Sequence, residues 1–436
     1  MLTQGINQLV NDGFIARKSG GVVKTILMGE DSTMTNQTRI NVVDSIMGSG
    51  KTSWAIQRMN EAPDFEKFIY ITPYLEQVKR INNQTEKQFV EPNNNNADGS
   101  KMRSLKELIV NGKNIVSTHS LFQTADDELL GLLKGAGYTL ILDEVMDLID
   151  KANVTQRDIT DLLALEHIEV VEKKVRWVCD DYEVNARYSD VMKLAQGGNL
   201  FYHRGRFLIW AFPPRVFNAF DDVFVMTYLF DAQIQRYYFD LYGFGYEYYS
   251  VKHNGERYEL VEYNKQAEQR EKLYELINVY EGKKNEIGER ENALSSTFLR
   301  GMSDETVVEV QRKIYGYFRN DVKAKSKDII WTTLKDAKTD LSGKGYVFSF
   351  LQCNARATNE YQDRWALAYV FNRYMHPIEK AFFEDNGVKV NQDLLAVSEL
   401  LQWIYRSRIR NGEPIELYLP SSRMRRLLKE WANYEI

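Results

Sequence analysis

Asp44-Ser45-Ile46-Met47-Gly48-Ser49-Gly50-Lys51-Thr52 closes an apolar run, Ile40 to Val43, and opens a helical one, Ser53 to Asn60. A strand, a glycine-bearing turn ending Gly-Lys-Thr and a helix together build a phosphate cradle. Gly48 and Gly50 let the backbone approach the phosphates, and the N–H groups of the turn, Ser49 among them, face the anion along with the helix N-terminus. Lys51 can reach the terminal phosphates, and the Thr52 hydroxyl can ligate Mg²⁺. Ser45 stands where the full phosphate-loop pattern has its first glycine.

Working outward, apolar strands alternate with helices from about 39 to 239, the pattern of a parallel α/β sheet. Phe68 to Thr72, stopped by Pro73, reads as a strand, as do Asn114 to Thr118, Tyr138 to Leu142 and Phe224 to Tyr228. Leu140-Ile141-Leu142-Asp143-Glu144 delivers two carboxylates to the end of one such strand, where open α/β sheets place their ligands. Asp143 would hold Mg²⁺ through water, and Glu144 would orient and deprotonate an attacking water. Residues 168–210, rich in valine and aromatics around tight turns, read as a β-rich insertion in the first domain. Beyond 240 a second α/β domain is expected, with strands at 328–332, 346–350 and 415–419, a helical insertion at about 265–325 and a helix around 394–410. Residues 1–33 show weak periodicity and read as a dispensable extension ahead of a first domain at 34–239; the second domain then spans 240–436.

Composition narrows the function classes. With 436 residues and a net charge of −5, the chain is long enough for two or three domains and is no generic polyanion binder. Two cysteines, Cys179 and Cys353, lie far apart without metal-ligand spacing, so neither a zinc site nor a disulfide framework is expected. No apolar run approaches the roughly 20 residues needed to cross a bilayer. A reduced cytoplasmic setting fits. Arg423, Arg425, Arg426 and Lys429 could track a phosphate backbone or simply form a solvated basic helix face.

Gly48-Ser49-Gly50-Lys51-Thr52, Thr72-Pro73, Ser117-Thr118-His119 and Asp143-Glu144-Val145-Met146-Asp147 together resemble the ordered motifs of superfamily 2 helicases, the last being similar to the DEAD-box form. The resemblance implies two RecA-like domains with parallel sheets that clamp ATP between them while single-stranded nucleic acid lies across both. It implies that Thr72 and Thr118 meet the sugar-phosphate backbone, that Thr227 sits in a coupling motif, and that Thr358, within Asn354 to Tyr361, touches nucleic acid from the second domain. Gln402-Trp403-Ile404-Tyr405-Arg406-Ser407-Arg408-Ile409-Arg410 resembles the last motif of the superfamily, whose arginines reach the γ-phosphate. On a continuous helix Gln402, Arg406 and Arg410 would share one face and Arg408 would point elsewhere. The likeness extends to helicase-like proteins of bacteriophage replication modules, which favours DNA over RNA and phage replication proteins as partners in a bacterial host cytoplasm. Two other readings remain beside it: a DNA-packaging ATPase of the large terminase type, and an origin-binding or helicase-loading factor switched by ATP without unwinding.

Overall fold

The computed structural model describes residues 38–436, apart from 74, 98, 184–185 and 355–359. The extension at 1–33 and Thr358 lie outside the described residues. The chain is mixed α/β, built on parallel sheets.

The first sheet has eight strands in the order β13-β12-β1-β11-β5-β2-β4-β3. These are β1 Arg39–Asp44, β2 Lys67–Thr72, β3 Phe89–Val90, β4 Asn114–Thr118, β5 Tyr138–Asp143, β11 Asp222–Thr227, β12 Tyr246–His253 and β13 Tyr258–Glu262. All pairings in it are parallel except β12 with β13. The strands read as nearly continuous apolar runs because both faces are covered. Alternate residues go to opposite sides: Ile69, Leu140 and Leu142 join one buried cluster, and Phe68, Tyr70 and Ile141 the other. Helix α1, Lys51–Glu61, and helix α2, Leu75–Gln84, lie on the second face, with Trp54, Ile56, Met59, Val78 and Ile81 as their buried residues.

Between β5 and β11 the chain leaves this sheet to make a five-stranded antiparallel one, β6-β10-β9-β8-β7. Its strands are β6 Ile149–Lys151, β7 Ile168–Val171, β8 Lys174–Trp177, β9 Leu200–His203 and β10 Phe207–Ala211. The insertion therefore starts near 149 rather than 168. Its first strand holds three residues, of which only Ile149 is buried, and offers no alternation to read.

The second sheet of the parallel kind, β14-β17-β16-β15, is formed by β14 Ile277–Val279, β15 Ile329–Thr332, β16 Ala366–Tyr369 and β17 Ile415–Tyr418. Helices α4 Gln392–Ile404 and α5 Ser422–Ala432 pack on it, while helix α3 Pro377–Asp385 turns its Phe382 and Phe383 into the core of the first sheet.

Three expectations are corrected here. Strand β12 pairs onto β1 and β13 onto β12, so the first sheet runs past Phe239 and the division at 239/240 falls too early. The proposed helical insertion at 265–325 contains the edge strand β14, which is too short to carry a periodic signal. Tyr346 to Phe350 is not a strand: Val347–Ser349 forms a 3-10 turn, Phe348 is 96% exposed, and only Phe350 bridges to Trp331. The strand beside β15 is the fully buried Ala-Leu-Ala-Tyr run of β16. Aromatic content at 346–350 mimics a core strand, but Tyr346 and Phe350 pack their rings against Trp331 from a turn while Phe348 stays exposed.

Candidate nucleotide site

Three strand ends meet at one point. Asp44 of β1 pairs in register with Thr227 of β11, and Met226 pairs with Asp143 of β5. The Ser45 N–H then donates to the Thr227 carbonyl at 3.1 Å, and the Glu144 N–H to Met226 at 2.9 Å. The phosphate-loop segment and the paired acids are thus tied to the same intervening strand.

The loop itself requires its glycines. Gly48 and Gly50 have φ of 80° and 95°, a left-handed region that disfavours side chains. Gly50 is the N-cap of α1, and no side chain caps that helix, so the N–H groups of its first turn face the cleft. Lys51 Nζ donates to the Ser45 carbonyl at 2.5 Å and the Ile46 carbonyl at 3.3 Å, folding the lysine across the loop. Ser45 has its own task, because its hydroxyl accepts the Val251 N–H at 2.7 Å and pins the loop to β12. Glycine there would lose that tie. Beneath the loop, the buried Asp44 carboxylate accepts the Leu229 and Phe230 N–H groups, each at 2.8 Å, and burial pushes it up to about 7.

Asp143 and Tyr70 face the same side of the sheet, and the Tyr70 hydroxyl donates to Asp143 Oδ2 at 2.8 Å. The Thr52 hydroxyl also bonds the tyrosine hydroxyl. Burial, reinforced by the neighbouring Glu144, pushes Asp143 up to about 6, and burial lowers Lys51 from the usual lysine range. Glu144 is held with φ 72°, and its Oε2 is buried with no hydrogen-bond partner among the described residues. A threonine hydroxyl, a carboxylate and an unengaged carboxylate oxygen are hard oxygen donors, the set that suits Mg²⁺ completed by water and phosphate oxygens.

The opposite wall comes from the far end of the chain. Met47, Gly48, Gly50, Lys51, Thr52, Asp143 and Glu144 share a cleft of about 320 Å³ with Tyr405, Arg406 and Arg410. Arg406 and Arg410 reach it by a route other than the expected helical face. Helix α4 ends at Ile404, the Ser407 hydroxyl closes back on the Ile404 carbonyl at 2.6 Å, and Arg408–Asn411 is a 3-10 turn. This reversal carries Arg410 back beside Arg406. Arg408 points away, donating to the Pro414 carbonyl at 2.6 Å and lying over the Trp365 ring.

Gln402 does not line the cleft, a correction that follows from the same early helix end. Its amide lies 3.5 Å from Ser398 Oγ, which accepts from Gln233 at 2.9 Å, so it belongs to a buried polar chain between α4 and the segment after β11. Thr72 is fully buried and lines the same cleft as Lys51 and Asp143. Thr227 is likewise fully buried. Thr118 stays partly exposed at the end of β4, with its hydroxyl 3.1 Å from that of Ser120. The C-terminal basic face is largely neutralised: Arg423 is buried against Asp393, Arg425 pairs with Glu289 and Arg426 with Glu430.

Sequence reasoning missed Tyr70, Gln77, Arg80, Tyr258 and Tyr405, all of them in or directly behind the cleft. For Tyr70 a signal existed, since its parity on β2 matches that of Asp143 on β5. For Tyr258 none did, because β13 reaches the site only through the sheet order.

No helix among the described residues is long and apolar enough to cross a membrane. Among known structures, similarity is found to apo XPD, with a TM-score of 0.49 at 12% identity over 90% of this chain and 95% of that one. The helicase MrfA bound to DNA and AMPPNP gives 0.35 at 10% identity over 91% and 48%. Similarity of that degree is silent on chemistry. A family model described as the YonV C-terminal Rossmann-like domain matches residues 271–432. The SPbeta prophage-derived uncharacterized protein YonV of Bacillus subtilis (strain 168) is 41% identical over 405 residues, spanning 90% of this chain and 98% of that protein. The chain belongs to the YonV family.

Proposed function

We propose that this protein is an ATP-hydrolysing enzyme of the superfamily 2 helicase kind, which translocates on or remodels nucleic acid, with DNA the favoured substrate in phage replication. One observation carries the reading: Lys51, Asp143 and Glu144 from the first sheet line the same cleft as Arg406 and Arg410, more than 250 residues later in the chain. No local sequence argument joins those groups.

In this reading Lys51 leaves the loop carbonyls for the β- and γ-phosphates, and the first-turn N–H groups of α1 receive the remaining phosphate charge. Thr52 and Asp143 would hold Mg²⁺, which when bound neutralises charge on the phosphate oxygens. Glu144, with one oxygen unengaged, orients the attacking water and takes its proton. Arg406 and Arg410 meet the charge that develops on the transferred phosphoryl group, so they act mainly in the transition state. Thr118 marks where nucleic acid would cross the first sheet.

Steady-state ATPase assays with and without single-stranded DNA and RNA, run beside strand displacement, test the reading. Stimulation by DNA that weakens with rising salt is the expected result, because phosphate contacts release counterions. An ATPase indifferent to every nucleic acid points to another partner, and stimulation without displacement points to a loader or origin-binding factor. The packaging-motor alternative needs a nuclease centre with clustered acids, and no group of three metal-ligating side chains occurs among the described residues.

A further inference from the structure

The β12–β13 hairpin brings one aromatic ring to the phosphate loop. Tyr258 lines the cleft beside Gly50, Lys51, Thr52 and Ser53. Its ring lies so close to Gly50 that a Cβ on that glycine would come within 2.1 Å of Tyr258 Cε1. Gly50 is thus required twice, by its own φ and by the ring against it.

The ring is held by a dedicated support. The Gln57 side chain brackets the Tyr258 backbone, accepting its N–H at 2.9 Å and donating to its carbonyl at 3.1 Å. One helical turn further along α1, Glu61 pairs with Arg257 at 3.1 Å. His253, opposite in the hairpin register, packs its ring 4.6 Å from that of Tyr258. Helix α1 therefore fixes β13 along its own flank, and the tyrosine is set in place before any ligand arrives.

Sheet order fixes which part of a ligand meets it. Tyr258 approaches from β13, beyond β1 on the side away from β5, whereas Asp143 and Glu144 come from the end of β5 and Gln77 and Arg80 from helix α2 across the cleft. Phosphate and metal chemistry belong to that second end, leaving the nucleoside end to the tyrosine. Gln77 is the one side-chain amide among the described residues lining the cleft, and it stands at the phosphate end. The amide of Gln57 is engaged by backbone.

We infer that Tyr258 is the nucleobase platform of the site, holding the base by its face, so that the site accepts any nucleoside triphosphate. This rests on the reading of the cleft as a triphosphate site. A ring face offers stacking to every base, whereas selection among bases needs hydrogen-bonding groups at their edges.

Equilibrium displacement of fluorescently labelled ATP, with Mg²⁺ present, separates the two ideas. On the wild type, ATP, GTP, CTP and UTP should compete within about threefold of one another, as face-on stacking predicts. Tyr258→Ala should weaken ATP about tenfold, within the range of one lost base–aromatic contact, while inorganic triphosphate competes as before. Tyr258→Phe and Tyr258→Trp should restore ATP affinity. Equal losses for ATP and inorganic triphosphate would mean that the ring only braces the loop, and would overturn the inference. So would unchanged ATP affinity in Tyr258→Ala, or a tenfold preference of the wild type for one base. If Lys51→Ala abolishes binding while Tyr258→Ala changes nothing, only the platform falls. If the wild type displaces no label with any triphosphate, the site reading falls with it.

Discussion

The two walls of the cleft are built on different principles. On the first-sheet side four groups are held by neighbours at hydrogen-bond distance: Lys51 by two loop carbonyls, Asp143 by Tyr70, Ser45 by Val251, and Asp44 by two backbone N–H groups. On the other side Tyr405 and Arg406 come from the residues just past the end of α4, and Arg410 from the single 3-10 turn that follows. The first wall is organised before any ligand binds. The second is supplied by a turn more than 250 residues further along the chain. In the proposed reading ATP binding rests on the first wall, while the arginines of the second, like Glu144 of the first, act mainly on turnover.

The largest effects should come from the first wall, and they should divide. Lys51→Ala is expected to remove most ATP binding and essentially all turnover with the fold intact, since the side chain faces the cleft. Glu144→Gln should keep ATP–Mg²⁺ affinity within a small factor yet lower turnover roughly a hundredfold or more. Nucleotide affinity and steady-state rate, measured on both proteins, check this. Matching losses of affinity in the two would break the division of roles.

Next come the arginines. Arg406→Ala and Arg410→Ala should each lose at least about tenfold in turnover, about 1.4 kcal/mol of barrier, with KM changed less. Arg408→Ala should stay within about twofold, because its guanidinium serves Pro414 and Trp365 instead. Should Arg406→Ala weaken binding as much as turnover, the arginine would act in the ground state as much as in the transition state.

What could be read beforehand follows the same contrast. Lys51, Thr52, Asp143 and Glu144 could be placed together from sequence because the two acids close an apolar strand, and Lys51 and Thr52 open the helix that follows another strand through a glycine turn. Arg406 and Arg410 follow from the resemblance to the superfamily's last motif, with helical periodicity choosing them from that run, but the helix stops at Ile404 and the turn after it brings Arg410 to the cleft. Gln402 failed for that reason. Tyr258 was invisible because a hairpin at the edge of a sheet is positioned by strand order, which no local pattern encodes. Strand β16 was hidden by its small residues, Ala366 and Ala368, while the more aromatic 346–350 looked stronger and proved to be a turn.

Asp44 allows the first wall to be tested without nucleotide. Burial pushes its carboxyl up to about 7 in the folded chain, above the unfolded value of 3.8, so the folded state favours the protonated form. Its contribution to stability is then complete below the unfolded value and is lost as pH rises through about 7. Relative to Asp44→Asn, which cannot titrate, the unfolding free energy of the wild type should decline between pH 5 and pH 8. Paired denaturant titrations across that range measure it. A flat or rising difference would show that the two N–H donors hold the carboxylate ionised.

The smallest expected effect lies away from the cleft, where the antiparallel insertion meets the second half of the chain. Arg204, at the turn after β9, donates twice to Asp385 at the end of α3, at 2.6 and 2.8 Å, with the guanidinium 55% and the carboxylate 37% exposed. The geometry is bidentate, but water screens both partners, so the pair contributes little. Most of the attachment is apolar: Phe382 and Phe383 of α3 are buried in the core of the first sheet, and Phe382 packs against Phe201 and His203. Arg204→Ala should therefore lower the melting temperature by only a degree or two and leave nucleotide turnover within about twofold. A larger change in turnover than in stability would mean that the insertion governs how the second wall approaches the first, and the two walls could no longer be treated as separate.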